Sequence, residues 1–148
     1  MADTRVVWSK KVPDVYGKLD EIDKIIAGHL DPILLELVKL RSSVLNGCAF
    51  CVDLHTRRAL QEGETQQRLF LVPTWIEAEG IFTDAERAAL ALTDEMTRMG
   101  EHGVSDEVYG AAAEHFDDEK LAALMAAIAM INLYNRLAVT SHLHPRRR

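Results

Sequence analysis

Residues Glu36 to His55 read Glu-Leu-Val-Lys-Leu-Arg-Ser-Ser-Val-Leu-Asn-Gly-Cys-Ala-Phe-Cys-Val-Asp-Leu-His, and this stretch holds both cysteines of the chain. Upstream, Asp31-Pro32 is a helix start signal, an acceptor cap followed by proline at the first helical position. Ile33, Leu37, Leu40 and Val44 then recur as one apolar stripe, and Asn46-Gly47 breaks the helix. A following helix should begin near Cys48, with Asn46 as its cap, and carry both cysteines in its first turns. There the unpaired N–H groups and the helix dipole favour a thiolate. Two helices joined by a two-residue break, with a dithiol at the junction, set the fold class as all-α.

Cys48 and Cys51 form a C-x-x-C pair, a spacing that lets two thiols close a disulfide or share one metal ion. His55 follows Cys51 by four residues, so on a helix its imidazole lies on the same face and can serve the Cys51 sulfur as a base. Glu36, twelve residues before Cys48, falls on the edge of the apolar stripe, where a carboxylate can be half buried and aim inward. Its simplest alternative is an exposed Glu pairing with Lys39 or Lys24. Phe50 projects away from the Cys-His face of an ideal helix and reads as packing.

The arrangement E-x11-C-x-x-C-x3-H resembles the motif of the AhpD-like alkylhydroperoxidases, a branch of the carboxymuconolactone decarboxylase superfamily. The lead-in Asp-Pro-x-Leu-Leu-Glu-Leu-Val, the linker Leu-Asn-Gly-Cys and the late segment Ile-Asn-Leu-Tyr-Asn-Arg-Leu extend the likeness over roughly residues 13 to 140. One departure is Phe50, where the best-known members carry a second histidine. The resemblance implies a single AhpD-like helical bundle and the reduction of organic hydroperoxides by a Cys48/Cys51 dithiol-disulfide cycle. Glu36 and His55 would form its proton relay. It implies an external dithiol reductant, lipoyl or thioredoxin-like, and a homo-oligomer (dimer, trimer or hexamer). No cofactor, haem, flavin or metal is required. His55 as the i+4 neighbour makes Cys51 the peroxidatic cysteine and Cys48 the resolving one, whereas the helix dipole by itself favours Cys48 as the more acidic sulfur.

Three other readings use the same residues. A zinc site of Cys48, Cys51, His55 and Glu36 has suitable ligand types, but Cys48 and His55 stand about 10 Å apart along a continuous helix. A lactone decarboxylase of the same superfamily would not depend on a cysteine pair. A non-enzymatic redox sensor or interaction protein would oxidise the pair without turnover.

The 148 residues suit one domain, which at this size buries about two thirds of its unfolded surface. A net charge of −6 argues against a nucleic-acid partner; the one basic run, Arg146-Arg147-Arg148, reads as a solvated terminus. Met1 to Lys11 is too polar for a signal peptide, and the apolar run Leu121 to Ile131 is shorter than a bilayer span, so a soluble, cytoplasmic protein is expected. In such a setting a close cysteine pair is more often catalytic, redox-active or metal-binding than structural.

Six or seven helices are expected. Pro13 opens the first, with Val15, Leu19, Ile22 and Ile26 at helical spacing up to Gly28. After the two central helices, Thr65 caps a short segment ended by Pro73, with Trp75 in an irregular connection. Thr83-Asp-Ala-Glu86 is a capping box, Ser105-Asp106 opens a helix through His115, and Asp117-Asp118 opens the last and most apolar one, to about Thr140. That last helix reads as the central buried one. Within it Asn132 should have specific hydrogen-bond partners. Arg41, inside an apolar sector, should snorkel or pair with an acid, across a subunit interface among other places. His102 and His115 read as solvated, and His142 and His144 as able to bind metal only adventitiously.

Overall fold

The computed structural model describes residues 5–148, so the polar opening stretch read above begins in part outside the described residues. Among these residues there are eight α-helices and no strand: α1 Trp8–Lys11, α2 Pro13–Ala27, α3 Pro32–Leu45, α4 Ala49–Gln61, α5 Gln66–Leu71, α6 Asp84–Thr97, α7 Asp106–His115 and α8 Asp118–Thr140. A 3₁₀ turn, Val72–Thr74, follows α5 at Pro73. Six or seven helices were expected, and each one read from the sequence is present. The eighth, α1, is a four-residue turn in a segment without helical periodicity.

Local chemistry sets most boundaries. The Asp31, Thr65, Thr83, Ser105 and Asp117 side chains each accept the backbone N–H three residues on, and Thr83 and Glu86 complete the capping box. Pro13 and Pro32 stand in the first turns of α2 and α3.

The central helix is α3 rather than α8. Ten consecutive residues, Leu34 to Ser43, are buried. Leu34, Leu35 and Val38 face α6, α7 and α8, while Leu37 and Leu40 pack with Ala59, Leu69, Val72, Trp75 and Leu90 on the α4–α5 side. Fully burying one such leucine contributes about 1.5–3 kcal/mol. Although the run Leu121 to Ile131 is shorter than a bilayer span, α8 as a whole is long and apolar enough to cross a membrane by length and composition, its most apolar window having a mean hydropathy of 1.5. Here its inner face, including Leu124, Ala127, Ile128 and Ile131, is core, while Met125 and Val139 stay exposed.

Where α3 ends, the chain reverses in two residues. Gly47 has φ +65°, the Gly47 N–H donates to Val44 O (3.1 Å) and the Cys48 N–H to Ser43 O (3.0 Å), a Schellman closure that needs a left-handed residue. Asn46 therefore does not cap α4 as expected from the sequence. It is the C-cap of α3, and its Nδ2 donates to Asn132 Oδ1 (2.9 Å) and Asn135 Oδ1 (3.0 Å).

Asn46, Asn132 and Asn135 join Ser42, Ser43 and Thr97 in one buried polar network across α3, α6 and α8. Asn135 is fully buried, donating to Ser43 Oγ and accepting from Ser42 and Asn46. Asn135→Ala would leave three polar groups short of a partner. An unsatisfied buried group costs about 1–3 kcal/mol, so urea denaturation should show a midpoint fall equivalent to at least one such loss, with an unchanged slope.

Candidate functional site

Cys48 is the N-cap residue of α4, with extended backbone (φ −88°, ψ 91°), and its Sγ accepts the Cys51 N–H at 3.3 Å. The Schellman turn fixes the Cys48 end and the first turn of α4 fixes Cys51. The two Cα atoms are 5.3 Å apart and the sulfurs are joined in a disulfide. Both residues are buried, Cys48 1% and Cys51 3% exposed.

One turn on, His55 is buried and its Nδ1–H donates to Glu36 Oε2 at 2.8 Å. Glu36 thus lies inside the fold, against the His55 ring. It bonds neither Lys39 nor Lys24, which pair with Asp23 and Asp20. Burial pushes the His55 pKa below its ordinary 6.5; the Glu36 hydrogen bond and charge pull it up, and the Lys39 and Arg58 charges push it down. Desolvation wins, so the imidazole is neutral, and with Nδ1 committed to Glu36 its free ring nitrogen is Nε2.

Cys51 and His55 both line a cavity of about 350 Å³; Cys48 does not. Apolar walls come from Trp8, Leu54, Ile131 and Leu143 among others, and polar groups from Asp20, Asp23, Lys39 and Arg58. Phe50 also lines it and packs against the disulfide. Phe50 borders the cavity from the Leu54 side of α4, four residues on, rather than from the Cys51–His55 face, and the packing role read from the sequence stands. Leu143 arrives by a second Schellman closure, with Leu143 N–H donating to Ala138 O (3.0 Å) and His142 left-handed at φ 54°.

Several cavity residues escaped the sequence reading. Lys39 is buried with both Asp23 oxygens at 2.9 and 3.1 Å, and its one sequence signal is the i+3 spacing from Glu36. Trp8 packs edge-on to Tyr16 and against Tyr134. Tyr134 is a neutral phenol, its pKa pushed up to about 12 by burial and the Asp23 and Asp20 charges. Nothing local foretells these contacts between the two ends of the chain.

Other candidates lie elsewhere. Trp75 is a core residue whose Nε1–H donates to Asp94 (3.1 Å). Arg41 pairs with Asp94 within the chain, through Nε (2.6 Å) and Nη2 (3.0 Å), rather than across an interface. Asn132 belongs to the polar network. Among the described residues no three His, Cys, Asp or Glu side chains converge as a metal-binding set. Arg148 is not free in solvent but pairs with Asp53 at 2.6 Å.

Residues 11–95 match the model of the Carboxymuconolactone decarboxylase family. The chain is 40% identical over 104 residues to the uncharacterized protein YdfG of Bacillus subtilis, 70% of each chain. It is 35% identical over 65 residues to the alkyl hydroperoxide reductase AhpD of Streptomyces coelicolor, 42% of this chain and 36% of that one. A solved structure from Agrobacterium tumefaciens, of unknown function and suggested to be the antioxidant defence protein AhpD, superposes with a TM-score of 0.91 at 33% identity, over 98% of this chain and all of the other.

The lowered His55 pKa has a stability consequence. Between the folded value and 6.5 the unfolded chain binds more protons than the folded one. The His55 contribution is therefore complete above pH 6.5 and is lost as pH falls through the folded value. Denaturation midpoints measured from pH 7.5 to 5 should fall more steeply in the wild type than in His55→Gln; parallel profiles would place the acid sensitivity elsewhere.

Proposed function

Because the chain belongs to the carboxymuconolactone decarboxylase family, we propose that it is an AhpD-like thiol peroxidase that reduces organic hydroperoxides. The observation that carries this reading is that Cys51 and His55 open on one cavity while Glu36 holds the far side of the imidazole at 2.8 Å.

With the disulfide reduced, His55 Nε2 takes the Cys51 proton, directly or through a water. The Cys51 thiolate attacks the terminal oxygen of R–O–O–H, the O–O bond breaks, and the alkoxide leaves as ROH with the proton held by His55. Cys51 is then a sulfenic acid. The Cys48 thiolate attacks the Cys51 sulfur, water leaves, and the disulfide re-forms. An external dithiol returns the pair to two thiols and is itself oxidised to a disulfide. The N-cap position supports a second role for Cys48: the Cys51 N–H at its sulfur stabilises it as a thiolate, for resolution and as the leaving group on reduction.

Burial of both sulfurs favours a slender reductant such as a lipoyl arm over a thioredoxin-like protein, whose cysteines would have to reach past the rim. The apolar walls favour an organic peroxide over hydrogen peroxide. Phe50 supplies bulk where a second polar relay member would stand, leaving proton transfer to His55 and Glu36. A reducing cytoplasm suits the cycle. Assembly as a homo-oligomer is part of the proposal, supported by α2, which exposes Val15, Ile22 and Ile25 and has no buried residue in the single chain. Light scattering at micromolar concentration should give a multiple of 16.6 kDa; a monomer would remove that part.

With cumene hydroperoxide and free dihydrolipoamide, Cys51→Ser should consume no peroxide. Cys48→Ser should consume a single equivalent and stop as a trappable sulfenic acid; sulfenic acid on Cys48 in Cys51→Ser would invert the two roles. Glu36→Gln should slow peroxide reduction at pH 7 by ~10²–10⁴, the usual worth of general-base assistance. That deficit should shrink towards pH ~8.5, where a free thiol ionises unaided. A pH-independent loss would make Glu36 a packing residue.

A further inference from the structure

One stripe of α4 runs along the cavity. Cys51, Leu54, His55 and Arg58 stand at i, i+3, i+4 and i+7, and all four line it. Seven residues of helix separate Cys51 from Arg58, about 10 Å of rise, and long side chains on a helix lean back towards its N-terminus. The guanidinium therefore stands two turns beyond the sulfur and on its side of the helix. The His55 ring, between them, feels that charge, which helps to push its pKa down.

The other charges that line the cavity are paired. Lys39 is buried against both oxygens of Asp23, and Asp20 pairs with Lys24 at 2.9 Å. His55 is neutral, with its Nδ1–H on Glu36. Arg58 is exposed, and among the described residues no carboxylate pairs with it. Asp53 of the same helix is taken by Arg57 and Arg148, and Glu62, four residues on, does not line the cavity. The helix dipole favours a cation in the last turn of α4, but it does not call for one in a cavity wall. The remaining walls are largely apolar, and four of the nine aromatic residues of the chain stand in them, Trp8, Tyr16, Phe50 and Tyr134.

We propose that Arg58 is an anion subsite, and that the substrate is a ring-bearing organic hydroperoxide with a carboxylate, which meets the guanidinium while the hydroperoxide reaches Cys51. This rests on the peroxidase reading and names its substrate class. The guanidinium presents parallel N–H donors that match the two oxygens of a carboxylate. Between the two polar ends, the aromatic walls take up the carbon body, and ring contacts add to what burial alone contributes, so they favour a ring over a linear fatty acid. The spacing along α4 sets the length, with carboxylate and peroxide about 10 Å apart or less. A cavity of about 350 Å³ is near the lower end of ligand pockets and admits a small acid but not a phospholipid. Held at its far end, such a substrate has its peroxide oriented before the thiolate attacks.

The test uses full-length protein, dihydrolipoamide as reductant and two pairs of peroxides. One pair is cumene hydroperoxide with a para carboxylate and its methyl ester; the other is a linear fatty-acid hydroperoxide and its methyl ester. In the wild type, kcat/KM for the ring acid should exceed that for its ester at least ~10-fold, the low end for a hydrogen bond to a charged group. The ratio should shrink at about 0.5 M salt, where the screening length falls to roughly 4 Å. Arg58→Gln should bring the ratio to about one and Arg58→Glu below it, while Arg58→Lys, which keeps the charge without the fork, should fall in between. Arg57→Gln, which changes an arginine outside the cavity, should keep the wild-type ratio. Each ratio is taken within one variant, so a change in overall rate through His55 cancels. If neither pair is turned over, the peroxidase reading falls. If acids and esters are reduced alike, or if the preference survives Arg58→Gln, the anion subsite alone falls. An acid preference confined to the linear pair would overturn the ring-bearing assignment in favour of fatty-acid hydroperoxides.

Discussion

Burying a helix on every side obliges each charge on it to find a partner, because an ion left alone out of water costs several kcal/mol. Helix α3 is such a helix, and three of its ten consecutive buried residues are ionisable. Glu36 meets His55, Lys39 meets Asp23 and Arg41 meets Asp94, reaching α4, α2 and α6 in turn. Ser42 and Ser43 take Asn135 of α8. Four neighbouring helices are thereby fixed in rotation about α3 by directional bonds, while the leucines between them supply the burial. Among the described residues no buried side-chain polar atom is left without a partner.

The candidate site is one consequence of that rule. The bond from Glu36 to His55 fixes the ring and leaves Nε2 for the cavity, and desolvation keeps the ring neutral, as a base must be. Lys39 adds a cation on the same wall that opposes the pull of Glu36 on the His55 proton. Asp23 neutralises Lys39 in turn, so the buried charge left on that wall is the Glu36 carboxylate, held by the His55 N–H. The dithiol is placed by different means, two backbone closures. One at Gly47 sets Cys48 at the head of α4, and one at His142 brings Leu143 down on the disulfide. A non-glycine residue in the left-handed region is uncommon, and at His142 it accompanies the turn that seats a cavity wall.

Two segments far apart in sequence meet at the cavity. The turn bearing Trp8 and the tail bearing Leu143 meet at Ser141, and both help to wall the cavity. Neither segment has a core of its own.

What the sequence determined by itself was whatever depends on neighbours within about a turn or two. Caps at Asp31, Thr83, Ser105 and Asp117, the break at Asn46-Gly47 and the apolar periods gave the all-α class and nearly every helix boundary. Cys51 and His55 share a face because four residues make one turn, and Glu36 entered through the resemblance of its spacing. Tertiary structure alone decided which helix is central, since α8 is the more apolar but α3 is the one enclosed. It also decided that Arg41 pairs inside the chain, that Phe50 packs against the disulfide, and that Trp8, Lys39, Tyr134 and Leu143 share one cavity. These outcomes rest on contacts between segments as much as 135 residues apart. Local spacing carries no record of such contacts, because they are set by where whole helices come to rest once their buried charges have been matched.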